Sequence, residues 1–148
     1  MYTHILIPTD GSALSLKAAR EGALLARKLG ARITALYVYP PYSPPYAGEG
    51  LFFNSSFSQK QYMDGMRTLA DKILARVSAI ARKQNVSCAE ESIVSDTPWE
   101  GIIKGASKLK CDLIAMASHG RGGIAGVVLG SQTTRVLTHS KTPVLVCR

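Results

Sequence analysis

The chain has 148 residues, with 18 Lys and Arg against 10 Asp and Glu, a net charge of +8 and 46% hydrophobic residues. That length suits one domain with its own core, and the composition excludes a disordered chain. No apolar run nears the roughly 18 residues of a membrane span, and the first ten residues, which carry His4 and Asp10, do not read as a signal peptide. Cys88, Cys111 and Cys147 are odd in number and widely spaced, against a disulfide framework or a zinc site. A reducing cytoplasm is the expected location.

Tyr2 to Pro8 is a short apolar run stopped by proline, the pattern of a buried strand. Thr9-Asp10-Gly11-Ser12 reads as a turn ending in a helix cap, and residues 13 to 29 as a helix closed by Gly30. Arg32 to Tyr39 is β-branched and aromatic, a second strand. Residues 40–62 hold four prolines and have no clean period, which predicts a long loop, either a lid or partner contact or simply surface loop. Met66, Leu69, Ile73, Val77 and Ile80 then form the apolar stripe of a helix from Tyr62 onward, with Arg67, Lys72, Arg76, Arg82 and Lys83 on its solvated side.

Val86 to Ser95 predicts a third strand. Thr97-Pro98-Trp99-Glu100 has the spacing of a capping box, and Ile102, Ile103, Ala106 and Leu109 give its helix an apolar face. Cys111 to Ala117 is a fourth, fully apolar strand. A glycine-rich loop, a helix from about Gly130 to His139 and a strand from Pro143 to Cys147 finish the chain. Strict β-α alternation predicts a doubly wound, Rossmann-like α/β domain: a five-stranded parallel sheet with helices on both faces. Such sheets bind ligands beyond the carboxyl ends of their strands, which singles out the loops at 8–12 and 118–131.

After Asp112 the chain has no acidic residue, and its last 36 residues include His119, Arg121, Arg135, His139, Lys141 and Arg148. The late loop combines those cations with glycines at 120, 122, 123, 126 and 130 and a helix start at Ser131. Glycine permits close backbone approach, and a helix N-terminus offers free N–H groups, so the loop suits phosphate. A flexible connection with a capping serine fits the same residues equally well. There is no GxxxxGK[ST] P-loop, and the GxGxxA match at 120–125 lacks the acidic residue that a dinucleotide site needs downstream.

Gly120 followed by nine residues and then Gly130-Ser131 resembles the ATP-binding signature of the universal stress protein family, G-x2-G-x9-G-[ST]. The opening I-L-I-P-T-D-G-S and the ending S-K-T-P-V-L-V-C-R resemble the same family, so the likeness spans essentially the whole chain. It implies an adenine nucleotide α-hydrolase-like fold and an ATP-binding stress-response regulator. Homodimers would form through the last strand, Pro143, Val144, Leu145 and Val146. Carried over by position, Asp10 would hold ribose or adenine beside Pro8 and Thr9, and Val38 would line the adenine pocket. Met116, Ala117, His119 and Gly120 would form the near side of the phosphate loop, with Arg121 beside it. Gly130, Ser131, Gln132 and Thr133 would hold the phosphates of ATP, ADP or AMP, with magnesium brought by the nucleotide.

The first glycine of the signature is Ala117 here, whose methyl blocks positive φ wherever the site requires it. A member without ATP binding therefore stays an alternative. So do a nucleic-acid module suggested by +8 and a slow ATP hydrolase or transferase. No RNA- or DNA-binding motif supports the second, and no catalytic constellation supports the third. His4 and His139 have no acidic or cysteine partner at useful spacing and read as structural.

Overall fold

The computed structural model describes residues 1–44, 58–120 and 129–148. Among the described residues nine elements follow in the expected alternation: β1 (His4–Pro8), α1 (Ala13–Leu29), β2 (Arg32–Tyr39), α2 (Gln59–Lys83), β3 (Cys88–Val94), α3 (Pro98–Lys108), β4 (Leu113–Ala117), α4 (Ser131–His139) and β5 (Val144–Cys147). The sheet has five parallel strands in the order β3-β2-β1-β4-β5.

Side chains alternate across the sheet as strand geometry demands. Ile5 and Ile7 of β1, Ile33 and Ala35 of β2 and Leu113 and Ala115 of β4 pack under α1 and α2. Leu6, Leu36, Ile114 and Met116 point to the opposite face, against Ile102 and Ala106 of α3 and Val136 of α4. β1 and β4 are buried along their full length, which is why they read as continuous apolar runs. β3 lies at one edge and β5 at the other.

The helix ends explain where the sequence reading was right and where it was not. Ser12 caps α1 by accepting from Ser15 N at 3.2 Å, and Gly30 closes it at φ +67°. α2 begins at Gln59, before Tyr62, because Ser58 and Gln61 form a capping box with bonds of 3.2 and 2.7 Å. The capping box expected at Thr97 does not form: that helix start has no side-chain cap bond, and Glu100 pairs with Lys104 at 3.9 Å. Thr97 Oγ1 is buried with no hydrogen-bond partner among the described residues.

His4 also departs from expectation, because Cys111 and its neighbours come to it from 107 residues away. Its ring is buried among Thr34, Arg32 and Cys111. The Arg32 guanidinium can only donate, so His4 Nδ1 accepts from it at 3.2 Å. The proton therefore sits on Nε2, which donates to Thr34 Oγ1 at 2.8 Å, with Cys111 Sγ 3.6 Å away. Burial, and then the Arg32 charge, push the imidazole pKa below 6.5. Burial of Cys111 raises its thiol to about 11, so it stays protonated.

The unfolded chain thus binds a proton at His4 more readily than the folded one, and stability is lost as pH falls below the unfolded value of 6.5. Asp112 does not share this window. Burial raises its pKa, but hydrogen bonds from His4 N, Thr3 N and Thr3 Oγ1 outweigh that and hold it low. Its contribution is lost only in stronger acid. Urea unfolding between pH 7.5 and 5 is expected to show stability falling with acid by up to about 1.4 kcal/mol per pH unit. His4→Gln is expected to flatten that slope; an unchanged slope would remove His4 as its source.

Candidate functional site

The strand order reverses at β1: the chain passes from β1 out to β2 and β3, then returns to its other side for β4 and β5. The β1–β4 ladder pairs Ile5 with Leu113 and Leu6 with Ile114 and then stops. Each strand continues on its outer side, β1 to Pro8 opposite Leu36 and β4 to Ala117 opposite Cys147. Pro8 has no N–H with which to extend the inner ladder. The carboxyl ends of β1 and β4 therefore part, and a cleft of about 430 Å³ opens there, a size typical of small-molecule sites.

The first wall is the turn after β1. Gly11 adopts φ +79°, which favours glycine. Asp10 Oδ1 accepts from Ser12 N at 2.9 Å. Thr9 Oγ1 accepts from Gly11 N at 3.1 Å and lies 3.0 Å from Ser15 Oγ, whose own proton goes to Ser12 O. The Thr9 hydroxyl is therefore the donor of that pair. Arg76 of α2, expected on a solvated face, donates from Nη1 to Gly11 O at 3.1 Å and braces the turn.

The opposite wall is the end of β4 and the start of α4. Ala117 is extended backbone within the strand, and its methyl meets no demand for positive φ. Its carbonyl accepts from the buried Thr133 hydroxyl at 2.9 Å. Gly130 N donates to Ser118 O at 2.7 Å, and a Cβ at Gly130 would lie 3.0 Å from His119 Cα. Asp10 Oδ2 lies 2.7 Å from where a Gly120 Cβ would sit, so the two loops meet closely. Gly130 is the N-cap of α4 and supplies no side-chain cap, leaving the helix N-terminus to the cleft.

Of the expected site residues, all but Arg121 are described, and each of these lines this one cleft. Arg121 lies outside the described residues, as does the middle of the 40–62 segment. Polar groups on both walls have structural partners already: Thr9 and Asp10 within the β1 turn, Thr133 on Ala117 O, and Gln132 Oε1, which accepts from Trp99 N at 3.1 Å. Among the described lining residues the one carboxylate is Asp10 and the one imidazole is His119, with no Lys or Arg. Sequence reasoning missed Ser15, Leu36, Pro98, Ile102 and Leu129. Pro98 carries a sequence signal, but that signal marks only the start of α3. Nothing in the sequence says that α3 reaches the cleft.

The described residues hold no group of three or more His, Cys, Asp or Glu able to bind a metal ion. Nor is any of their helices long and apolar enough to cross a membrane. The three cysteines are free.

The model of the universal stress protein family matches residues 1–148. The chain belongs to the universal stress protein family. Universal stress protein MJ0531 of Methanocaldococcus jannaschii is 30% identical over 148 residues, covering 100% of this chain and 83% of that protein. The solved structure of MJ0577, described as a hypothetical protein, superposes with a TM-score of 0.80 at 24% identity, covering 99% of this chain and 95% of the other. Two solved universal stress proteins have the same fold. One is described as in complex with cAMP (TM-score 0.68, 23% identity, 99% and 97% coverage). The other, from Archaeoglobus fulgidus, is in complex with dAMP (TM-score 0.68, 17% identity, 99% and 98% coverage).

Proposed function

We propose that the chain binds an adenine nucleotide, ATP or a shorter phosphate form, in the cleft between β1 and β4, and signals as a dimer through its bound state. The observation that carries this reading is the pairing of two unlike walls in one crevice. Val38, Ile102 and Met116 offer apolar surface for a base, and the uncapped start of α4 offers N–H groups for phosphate. The family members described in complex with cAMP and dAMP support the adenine assignment. Asp10, at the mouth of the turn, accepts hydrogen bonds from ribose hydroxyls. Magnesium arrives with the phosphates, beside Ser131.

Denatured, freshly purified protein is expected to release close to one adenine nucleotide per chain into the supernatant. Release of none, together with no binding of AMP or magnesium ATP at millimolar concentration, would refute the reading. Catalysis has no supporting constellation of described residues, so ATP incubated with the protein is expected to persist, with slow hydrolysis at most.

The dimer contact proposed is the free edge of β5, where Leu145 is 38% exposed on a strand paired on one side within the chain. Leu145→Lys is expected to convert the dimer to monomer in light scattering. A dimer that survives the substitution places the contact elsewhere.

A further inference from the structure

From the packing of α3 on β2 we infer that Gly101 sets the width of the base-accepting end of the cleft and thereby the affinity for the base. The inference rests on the nucleotide reading above. Gly101 is buried in α3 with ordinary helical φ, so space and not conformation is what its missing side chain supplies. A Cβ there would lie 2.6 Å from Val38 Cγ1, 3.1 Å from Val38 Cγ2 and 3.1 Å from Ser95 Cβ. Carbon atoms rest at about 3.5–4.0 Å, so something must move by about 1 Å.

Val38 cannot turn away cheaply. It is β-branched, and its backbone is fixed in the ladder opposite Ile93. The displacement therefore goes into the cleft, which Val38 lines, or into α3, whose Pro98 and Ile102 line the same wall. Either way the apolar slot changes width by a sizeable fraction of a ring's thickness, and the three atoms nearest the added Cβ all belong to Val38 and Ser95, none to Gly130 or Ser131. The neighbouring close approach differs in kind. A Cβ at Gly105 would meet Leu36 Cδ2 and Ile93 Cδ1, the far ends of flexible side chains. Gly22 offers a control on the other face of the sheet, where a Cβ would meet Ile7 Cδ1 at 2.8 Å, away from the cleft.

The test is titration calorimetry of nucleotide-free wild type, Gly101→Ala, Gly101→Ala/Val38→Ala and Gly22→Ala with adenosine, AMP and ATP. Gly101→Ala is expected to weaken adenosine and AMP by the same factor, about tenfold or more, with the AMP-to-ATP affinity ratio unchanged. Removing the Val38 methyls in the double variant is expected to restore most of the loss, and Gly22→Ala is expected to bind as wild type. Wild-type affinity in Gly101→Ala overturns the inference and leaves the nucleotide reading standing. So does an equal loss in Gly22→Ala, which would trace the effect to general destabilisation. A wild type that binds none of the three ligands overturns the nucleotide reading, and this inference with it.

Discussion

Replacing Gly130 with valine is expected to lower the affinity for AMP by about 100-fold, or about 2.7 kcal/mol, with the fold retained. The reason is steric and local. Gly130 N is bonded to Ser118 O at 2.7 Å, and an added Cβ would stand 3.0 Å from both Cα and Cβ of His119 and 3.4 Å from Ser118 O. Backbone atoms give way poorly, so the first turn of α4 must retreat from the end of β4. Its N–H groups then lose their aim at the ligand, and their electrostatic benefit decays within about one turn. Gly65→Ala is the matched control: a Cβ there meets nothing within 4 Å, and in the interior of α2 alanine is expected to add about 0.5–1 kcal/mol of stability. Circular dichroism and AMP titration check both variants. Undiminished binding by Gly130→Val would remove α4 from the site.

The second large effect is on stability. Thr133→Val keeps the side-chain shape but leaves the carbonyl of Ala117 without its 2.9 Å donor in a buried setting. An unsatisfied buried acceptor costs about 1–3 kcal/mol. For a chain of this size that lowers Tm by about 3–10 °C. Thr133→Ser retains the hydroxyl and is expected to recover most of the difference. Equal Tm values for the valine and serine variants would show that the hydrogen bond is not the source of the cost.

These two positions also show how much was legible beforehand. Gly130 could be flagged from sequence because it closes the signature spacing, and Thr133 because the family resemblance places it beside that signature. The division of labour between them could not. Thr133 turns its hydroxyl to a strand end 16 residues back, a contact that only the fold creates. The same holds for His4 and Cys111, and for Arg76 on Gly11 O, all joined across long stretches of chain. Strand identity was clear wherever burial on both faces makes a strand uniformly apolar, as in β1 and β4.

Most helix starts were legible: Thr97 is the N-cap and Pro98 opens α3 as the sequence predicts, although the Thr-x-x-Glu box itself does not form. At Ser58 a real box was hidden beside the proline-rich segment. Ala117 is the most instructive departure. Its place in the signature suggested a lost positive φ, but the strand simply continues through it. The methyl therefore carries no backbone penalty.

The central claim is that an adenine nucleotide sits where β1 and β4 part. Its most direct test is a titration of ¹⁵N-labelled, nucleotide-free protein with magnesium ATP, followed by amide chemical shifts. Saturable shifts concentrated at Thr9, Asp10, Val38, His119, Gly120 and Ser131 are the expected result. Absence of shifts at millimolar ATP, or shifts confined to the basic outer face of α2, would contradict it.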